Sequence, residues 1–388
     1  MTETTTADAP APGALAGVLS DAPFVRLVAT DDGDALAATG LLARALRERG
    51  VPFQARVSRD PVPDATGDDV AVTVGSATGT YAVPGVGRPA STTAFAVARE
   101  LGVDPDPVVA LAGVVAAGSV PGTDGSGDAL SVAEESSAIE RRPGVAVPTA
   151  DLATGLAAST LIRTPDSGDP EAAGATLASL DLPAELDADD HRRLASLVAV
   201  DVAAMRDAST RAASAVERAL RPYAVTTDRP VETVGGFADV LDVLAREAPG
   251  TGVAIVLATD PAEVPWTAAI DAWRAHGLAA HRALDDATTG RYDGCIVARA
   301  DAAPSVLPTV ARLVRDFRSP EPVAIALDET SGRIATAATE PCGLGDVCRA
   351  VGVEFGGAGW GSPMRGGIEI ETSTVDPTET LAALREAL

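Results

Sequence analysis

The sequence predicts an α/β protein of two lobes, an N-terminal doubly wound parallel sheet joined by a long helix to a smaller C-terminal α/β domain. Three observations predict it. Short apolar runs alternate with helical periodicity over the first third of the chain, the pattern of βαβ units. A helical segment with one apolar stripe then runs over residues 187–221. Strand signals resume after it and end in a segment with six glycines among twelve residues, 356–367.

The elements follow in order. "FVRLVA" (24–29) reads as a buried strand, and 35–49 as a helix with Leu36, Leu42 and Leu46 near one face and Gly50 as its stop. Strands are expected over 53–57 and 70–74, and helices over 91–101 and 107–118. Ser91, Thr92 and Thr93 are good capping residues for the first of these helices. Residues 123–148, rich in Gly, Ser and Pro, read as a long surface excursion. Leu194, Leu197, Val198, Val202, Met205, Val216 and Leu220 mark the stripe of one helix over 187–221, long enough to join domains.

A second α/β unit begins near Thr251. "GVAIVLA" (252–258) and "DGCIVAR" (293–299) read as strands, with a helix over 266–276 between them. "SVLPTVARLVRDF" (305–317) is a helix interrupted or capped near Pro308. "EPVAIALD" and "GRIATAA" read as a hairpin around "ETSG", and 377–388 as a closing helix. The expected division is a flexible leader (1–20), a first domain (21–186), a helical connector (187–248) and a second domain (249–388).

Composition narrows the class. The 388 residues carry a net charge of −25, with 46% hydrophobic residues, which is ample for buried cores. Aromatics are only 3%, so Ala, Val and Leu must fill the interior. The chain has neither Lys nor Asn, Gln54 is its single Gln, and all 30 basic side chains are Arg. With the heavy Asp load, this is the composition of a haloarchaeal protein working in concentrated salt. At about 1 M salt the Debye length is only ~3 Å, so net charge says little about partners. Cys295, Cys342 and Cys348 fit no metal spacing and read as small buried hydrophobes in a reducing cytosol. "MTETTTADAPAPG" reads as a loose leader without a signal peptide, and apolar runs stop well short of the ~20 residues of a membrane span. A cytoplasmic protein is expected.

Few segments carry chemistry. Asp32 and Asp34 in "TDDGDALAAT" stand where strand becomes helix. Such carboxylates cap a helix, or chelate Mg²⁺ or Mn²⁺ at the carboxyl end of a parallel strand, and local spacing alone favours the cap. Gly356, Gly357, Gly359 and Gly361, with Ser362 and Arg365, make either a ligand-binding loop or a tight loop between packed strands. Ser91 and Thr92 offer phosphate contact at a helix N-terminus, with capping the default. Arg312, Arg315, Arg318, Arg141 and Arg142 read first as solvated charge, and His191, His276 and His281 as structural or exposed.

In order and spacing, these features resemble the DHH phosphoesterase superfamily, and within it the archaeal RecJ-like proteins. The first family motif, His-x-Asp-x-Asp-Gly, is matched by "TDDGDA": Thr30 replaces His, Asp32 and Asp34 match, and Ala35 replaces Gly. The second motif, an Asp ending a strand, falls on Gly75 after "VAVTV". The Asp-His-His motif falls in "ATGTYAVPGVG", which has neither residue type. The helix that ends in a fourth ligand resembles "VVALAGVVAAGS", where Ala117, Gly118 and Ser119 offer none. The C-terminal Gly-Gly-x-Gly-Gly-Gly-His-x-x-Ala-Ala-Gly motif is followed by "GGAGWGSPMRGG", with Trp360 for a Gly and Ser362 for the His.

The resemblance spans residues 22–371 and implies a DHH-like domain at 21–186 and a DHH-associated domain at 249–388. It also implies two Mn²⁺ or Mg²⁺ ions and phosphodiester hydrolysis, with the Gly-rich segment holding the strand. Two-metal chemistry needs enough ligands to fix both ions about 3.5–4 Å apart. By position, only Asp32 and Asp34 survive. The expectation is therefore a non-catalytic RecJ-like protein of DNA replication or repair, acting through single-stranded DNA or RNA, or through GINS and the replicative helicase. The alternatives are a residual metal-dependent exonuclease on Asp32 and Asp34 and a nucleotide sensor on the Gly-rich segment. A ligand distant in sequence, such as Asp201, would strengthen the enzymatic reading.

Overall fold

A computed structural model describes residues 11–62, 67–183, 186–205, 207–260 and 264–388. The chain forms two compact units, each from two stretches of sequence. Met1–Arg141 with Tyr223–Ala272 make the first, and Arg142–Pro222 with Trp273–Leu388 the second.

In chain order the first stretch contains α1 (Pro12–Asp21), β1 (Val25–Ala29), α2 (Gly33–Glu48), β2 (Phe53–Val57), β3 (Val70–Val74), β4 (Tyr81–Val83), α3 (Ala90–Glu100), α4 (Pro107–Ala116), α5 (Gly127–Glu135) and β5 (Ile139–Arg141). Next come α6 (Leu152–Ala158), α7 (Pro170–Ser179), α8 (Ala188–Ala204) and α9 (Thr210–Ala219), then β6 (Tyr223–Val225), α10 (Val234–Glu247), α11 (Pro249–Leu257) and α12 (Trp266–Asp286). The remainder is β7 (Thr288–Tyr292), β8 (Cys295–Arg299), α13 (Leu307–Leu313) continued by a π-helical turn (Val314–Arg318), β9 (Val323–Asp328), β10 (Arg333–Ala338), α14 (Leu344–Glu354), β11 (Ala358–Ser362), β12 (Arg365–Glu369) and α15 (Pro377–Glu386).

In the first unit the strands lie in the order β2-β1-β3-β4, every neighbouring pair parallel. Helix α2 is buried almost throughout and packs against α3, α4, α10 and α11. Its small residues permit this. A Cβ on Gly40 would lie 2.4 Å from the Val256 Cβ of α11, so the two helices approach to backbone distance. That approach explains one departure from expectation. Of residues 252–258, expected as a strand, 252–257 are in α11 and Ala258 is its C-cap, because Gly252 and Val256, four residues apart, face Leu36 and Gly40 of α2. A short apolar run fits strand and helix alike until a neighbour selects one.

Four further expectations are corrected. The expected leader includes α1, whose Leu15, Ala16 and Leu19 are buried; residues 1–10 lie outside the described residues. The expected surface excursion contains α5 and β5, the latter paired antiparallel with β6. The expected single helix over 187–221 is two, α8 and α9, packed on one another in the second unit, with Ser209 accepting the Arg211 N–H at the start of α9. The linear boundaries differ from the units accordingly. Residues 223–272 belong with the first unit because β6 pairs with β5 and α10 packs on α2 and α4.

The second unit holds a six-stranded sheet in the order β11-β12-β10-β9-β8-β7, parallel only between β8 and β9. The hairpin expected around "ETSG" is β9–β10. Strand alternation divides the core. Ile296, Ala298, Ala324, Ala326, Ala335 and Ala337 pack with residues of α8, α9, α12 and α13. Cys295, Val297, Ile325, Leu327 and Ile334 pack on the other face with residues of α14 and α15. His276 and His281 are buried, bonding Thr309 Oγ1 at 2.8 Å and the Ser159 carbonyl at 2.9 Å. Burial pushes His281 down to about 4, so at neutral pH its neutral ring donates Nε2–H to that carbonyl. Cys295 and Cys348 are buried free thiols, whereas Cys342 is exposed, unlike the expectation for it. Among the described residues no helix is long and apolar enough to cross a membrane.

Candidate functional site

β1 ends at Ala29 and α2 begins at Gly33, so the acidic turn lies at the carboxyl end of a central parallel strand. Asp32, in extended backbone conformation, is the N-cap of α2, and its Oδ1 accepts the Ala35 N–H at 2.8 Å. The Thr30 hydroxyl donates to its Oδ2. Asp34 points elsewhere. Its Oδ2 accepts the Ala90 N–H at 2.6 Å and its Oδ1 the Ser91 N–H at 2.9 Å, both from the first turn of α3. Asp242 of α10 completes the arrangement, its Oδ1 accepting the Gly33 N–H at 3.2 Å and its Oδ2 paired with Arg246. Three buried carboxylates thus fasten the starts of α2 and α3, where negative charge suits the helix dipoles.

Burial, reinforced by the nearby Asp32 carboxylate, pushes Asp34 up to about 7. The Ser91 hydroxyl and the Ser91 and Ala90 N–H groups pull it down only in part.

The crevice between the ends of β1 and β3 is where open parallel sheets bind ligands. Here protein atoms fill it. The Thr30 N–H donates to the Val74 carbonyl at 2.9 Å. Gly75 follows with φ +83°, and a Cβ there would lie 2.0 Å from Thr30 Oγ1 and 2.8 Å from the Ala35 Cβ. The family resemblance places an acidic ligand at 75, yet only glycine fits. Among the described residues no three His, Cys, Asp or Glu side chains gather as ligands. Asp201 lies on α8 of the second unit, its carboxyl raised by burial and by Asp166. Two carboxylates whose four oxygens already accept hydrogen bonds do not fit a two-metal centre, and no hydrolytic step is derived through one.

Ser91 and Thr92 sit in the first turn of α3, 0% and 4% exposed, and the Ser91 N–H is taken by Asp34. Of the arginines read as solvated, Arg312, Arg315 and Arg318 are tied into the second unit, while Arg141 is exposed in the first. Arg312 donates to the Thr160 carbonyl at 3.0 Å, Arg315 pairs with Asp316, and Arg318 pairs with Asp207 and Asp285. Arg141 lies over the Tyr223 ring, 5.4 Å from its centre.

The Gly-rich segment is a hairpin rather than a loop, with Ser362 opposite Arg365, Gly361 opposite Gly366 and Trp360 opposite Gly367. One face of it seats directly on α14. A Cβ on Gly359 would lie 2.0 Å from the Cys348 carbonyl oxygen, and one on Gly366 2.5 Å from the Cys348 sulfur. Gly357 would meet the Glu369 carbonyl at 2.1 Å and Gly361 the Arg365 carbonyl at 2.2 Å, whereas Gly356 (φ +69°) has open space. Close packing therefore accounts for most of the glycines. A Gly359→Ala variant is expected to lose about 1–3 kcal/mol of stability through overpacking, measured by denaturant unfolding. Gly359, Gly361, Ser362 and Arg365 are brought together here, while Ser91 and Thr92 belong to the first unit. Sequence reasoning missed Asp242, for which no local signal exists.

A family model described as "Uncharacterized protein rrnAC1427, C-terminal domain" matches residues 287–386, which span the six-stranded sheet and α15. The protein rrnAC1427 of Haloarcula marismortui is 49% identical over 384 residues, covering 98% of this chain and 97% of its own. The chain belongs to the rrnAC1427 family. The haloarchaeal composition agrees with the source of that relative.

Two solved structures share the fold. CDC45 from Entamoeba histolytica superposes with a TM-score of 0.57 at 10% identity, covering 96% of this chain and 97% of that one. RecJ in complex with Mn²⁺ from Thermus thermophilus gives 0.51 at 14% identity, covering 99% of this chain. The present chain spans 55% of that RecJ, about half its length. At such identities the likeness shows the fold alone, one shared with RecJ and CDC45.

Proposed function

We propose that this protein acts in DNA replication or repair by binding rather than by hydrolysis. Its ligand is single-stranded DNA or RNA, its protein partners are GINS and the replicative helicase, and its compartment is the cytoplasm. The observation that carries the reading is the employment of Asp32 and Asp34. Both serve as buried helix caps, and Thr30 and Gly75 fill the crevice in which further ligands would stand. A fold that keeps its shape while its acidic residues turn to structural work is suited to holding partners. The folds of RecJ and CDC45 support the association with replication or repair.

The test is direct. With Mn²⁺ and concentrated potassium chloride, the protein should leave labelled single-stranded DNA and RNA intact, and an Asp32→Ala, Asp34→Ala variant should behave identically. Cleavage by the wild type that vanishes in the double variant would establish an exonuclease with a reduced Asp site. In a co-purification from cells, recovery of GINS or helicase subunits is the expected result, and their consistent absence counts against the partner assignment.

A further inference from the structure

We propose that Arg163 holds a chloride ion inside the second unit, and that the ion is part of the folded state.

Arg163 lies between α6 and α7, in a segment that packs on the second-unit part of α12. The residue is only 3% exposed. Its Nη2 donates to Asp285 Oδ1. Its Nε and Nη1 are buried and have no acceptor among the described residues. Buried donors are almost always paired, and those of a charged group are the costliest to leave unpaired. A ligand that accepts hydrogen bonds is therefore called for at this guanidinium.

Charge favours an anion over water. The cations here are inside and their carboxylates are outside. Arg163 and Arg318 have side chains 4% and 14% exposed, whereas Asp285, which they share, is 47% exposed and Asp207 45%. Carboxylates so exposed are screened by solvent and offset a buried cation weakly. Burial first, and then repulsion from Arg163, draws Arg318 below the usual guanidinium range. Arg312 brings a third guanidinium to the same segment, donating to the Thr160 carbonyl and hydroxyl. An anion relieves this repulsion, and a water molecule does not.

Packing limits the size of the ion. A Cβ on Gly277 would lie 1.8 Å from the Ala158 carbonyl oxygen, and one on Gly168 3.2 Å from the His281 Cβ. The segment and α12 thus meet at backbone distance, which suits a monatomic ion rather than a tetrahedral oxyanion. The salt that the composition implies supplies chloride. The His281 Nδ1 also has no protein partner, but on the neutral ring it is a lone pair and is served by water.

Unfolding disperses these groups and releases the ion. By mass action the unfolding constant then falls about tenfold for each tenfold rise in chloride above its dissociation constant.

The experiment is urea unfolding of the full chain in mixtures of potassium chloride and potassium gluconate at constant potassium. The wild type should be stabilised by chloride, and Arg163→Met should lose about one tenfold of that dependence per tenfold chloride. Comparing the two proteins removes anion effects that do not involve Arg163. An equal dependence in both overturns the proposal. Inorganic phosphate that replaces chloride in the wild type at equal concentration overturns it too, by making the site one for oxyanions. Should Arg163→Met fail to fold, wild-type crystals grown in potassium bromide decide. An anomalous peak against the Arg163 guanidinium is expected, and peaks only elsewhere, or none, mean that water serves these donors and refute the ion.

Discussion

Replacing Gly75 by Asp is expected to cost about 2–6 kcal/mol and to recover no metal site. Two terms set that range. The backbone at 75 is left-handed, φ +83°, which strains any residue with a Cβ. The added Cβ would then lie 2.0 Å from Thr30 Oγ1, and Thr30 is held by its bonds to Asp32 and to the Val74 carbonyl. A Thr30→Gly, Gly75→Asp double variant should regain the part of the overlap due to Thr30, but neither the 2.8 Å contact with the Ala35 Cβ nor the backbone portion. Chemical denaturation of the three proteins measures both, and Mn²⁺ titration followed by electron paramagnetic resonance measures the metal. A Gly75→Asp protein as stable as the wild type that takes up Mn²⁺ saturably would refute the closed-crevice account.

The second large effect is a dependence on pH carried by Asp34. Its folded-state pKa, about 7, lies above the ordinary 3.8. Between those values the folded protein holds a proton that the unfolded chain releases, so stability from this group falls as pH rises. It is fully present below about pH 4 and lost above about pH 7, a swing of about 4 kcal/mol at 1.36 kcal/mol per unit. The many other carboxylates also titrate, so the comparison is with Asp34→Asn, which keeps the shape and removes the titration. The stability difference between wild type and variant should shrink as pH rises from 4 to 7.5 in constant high salt. A difference that grows instead would mean that the Ala90 and Ser91 N–H groups outweigh burial and hold Asp34 ionised.

Local signals found those elements whose pattern has one reading. β1, β2, β3, β8 and the β9–β10 hairpin lie where alternation and turn residues put them, within a residue or two. The misreadings share a cause. Residues 252–258 and 187–221 carry apolar patterns that more than one partner could satisfy. The first became helix because Gly40 of α2 admits Val256 at backbone distance, and the second broke near Ser209 because α8 and α9 pack on each other. The return of residues 223–272 to the first unit depends on β6 pairing with β5 across more than eighty residues of chain, which no local window contains.

The acidic turn divides in the same way. That Asp32 would cap α2 was legible, because a cap and the N–H it serves are three residues apart. The partners of Asp34 are 56 and 57 residues away and that of Gly33 is 209 away, so only the tertiary fold decided them. The chain alone determined the acidic, lysine-free surface, the parallel βα start and the order of motifs that resembles the DHH superfamily. The folded molecule decided what the surviving motif residues do. Hydrogen bonding and steric overlap act between atoms in contact, and contact between residues distant in sequence exists only once the chain has folded.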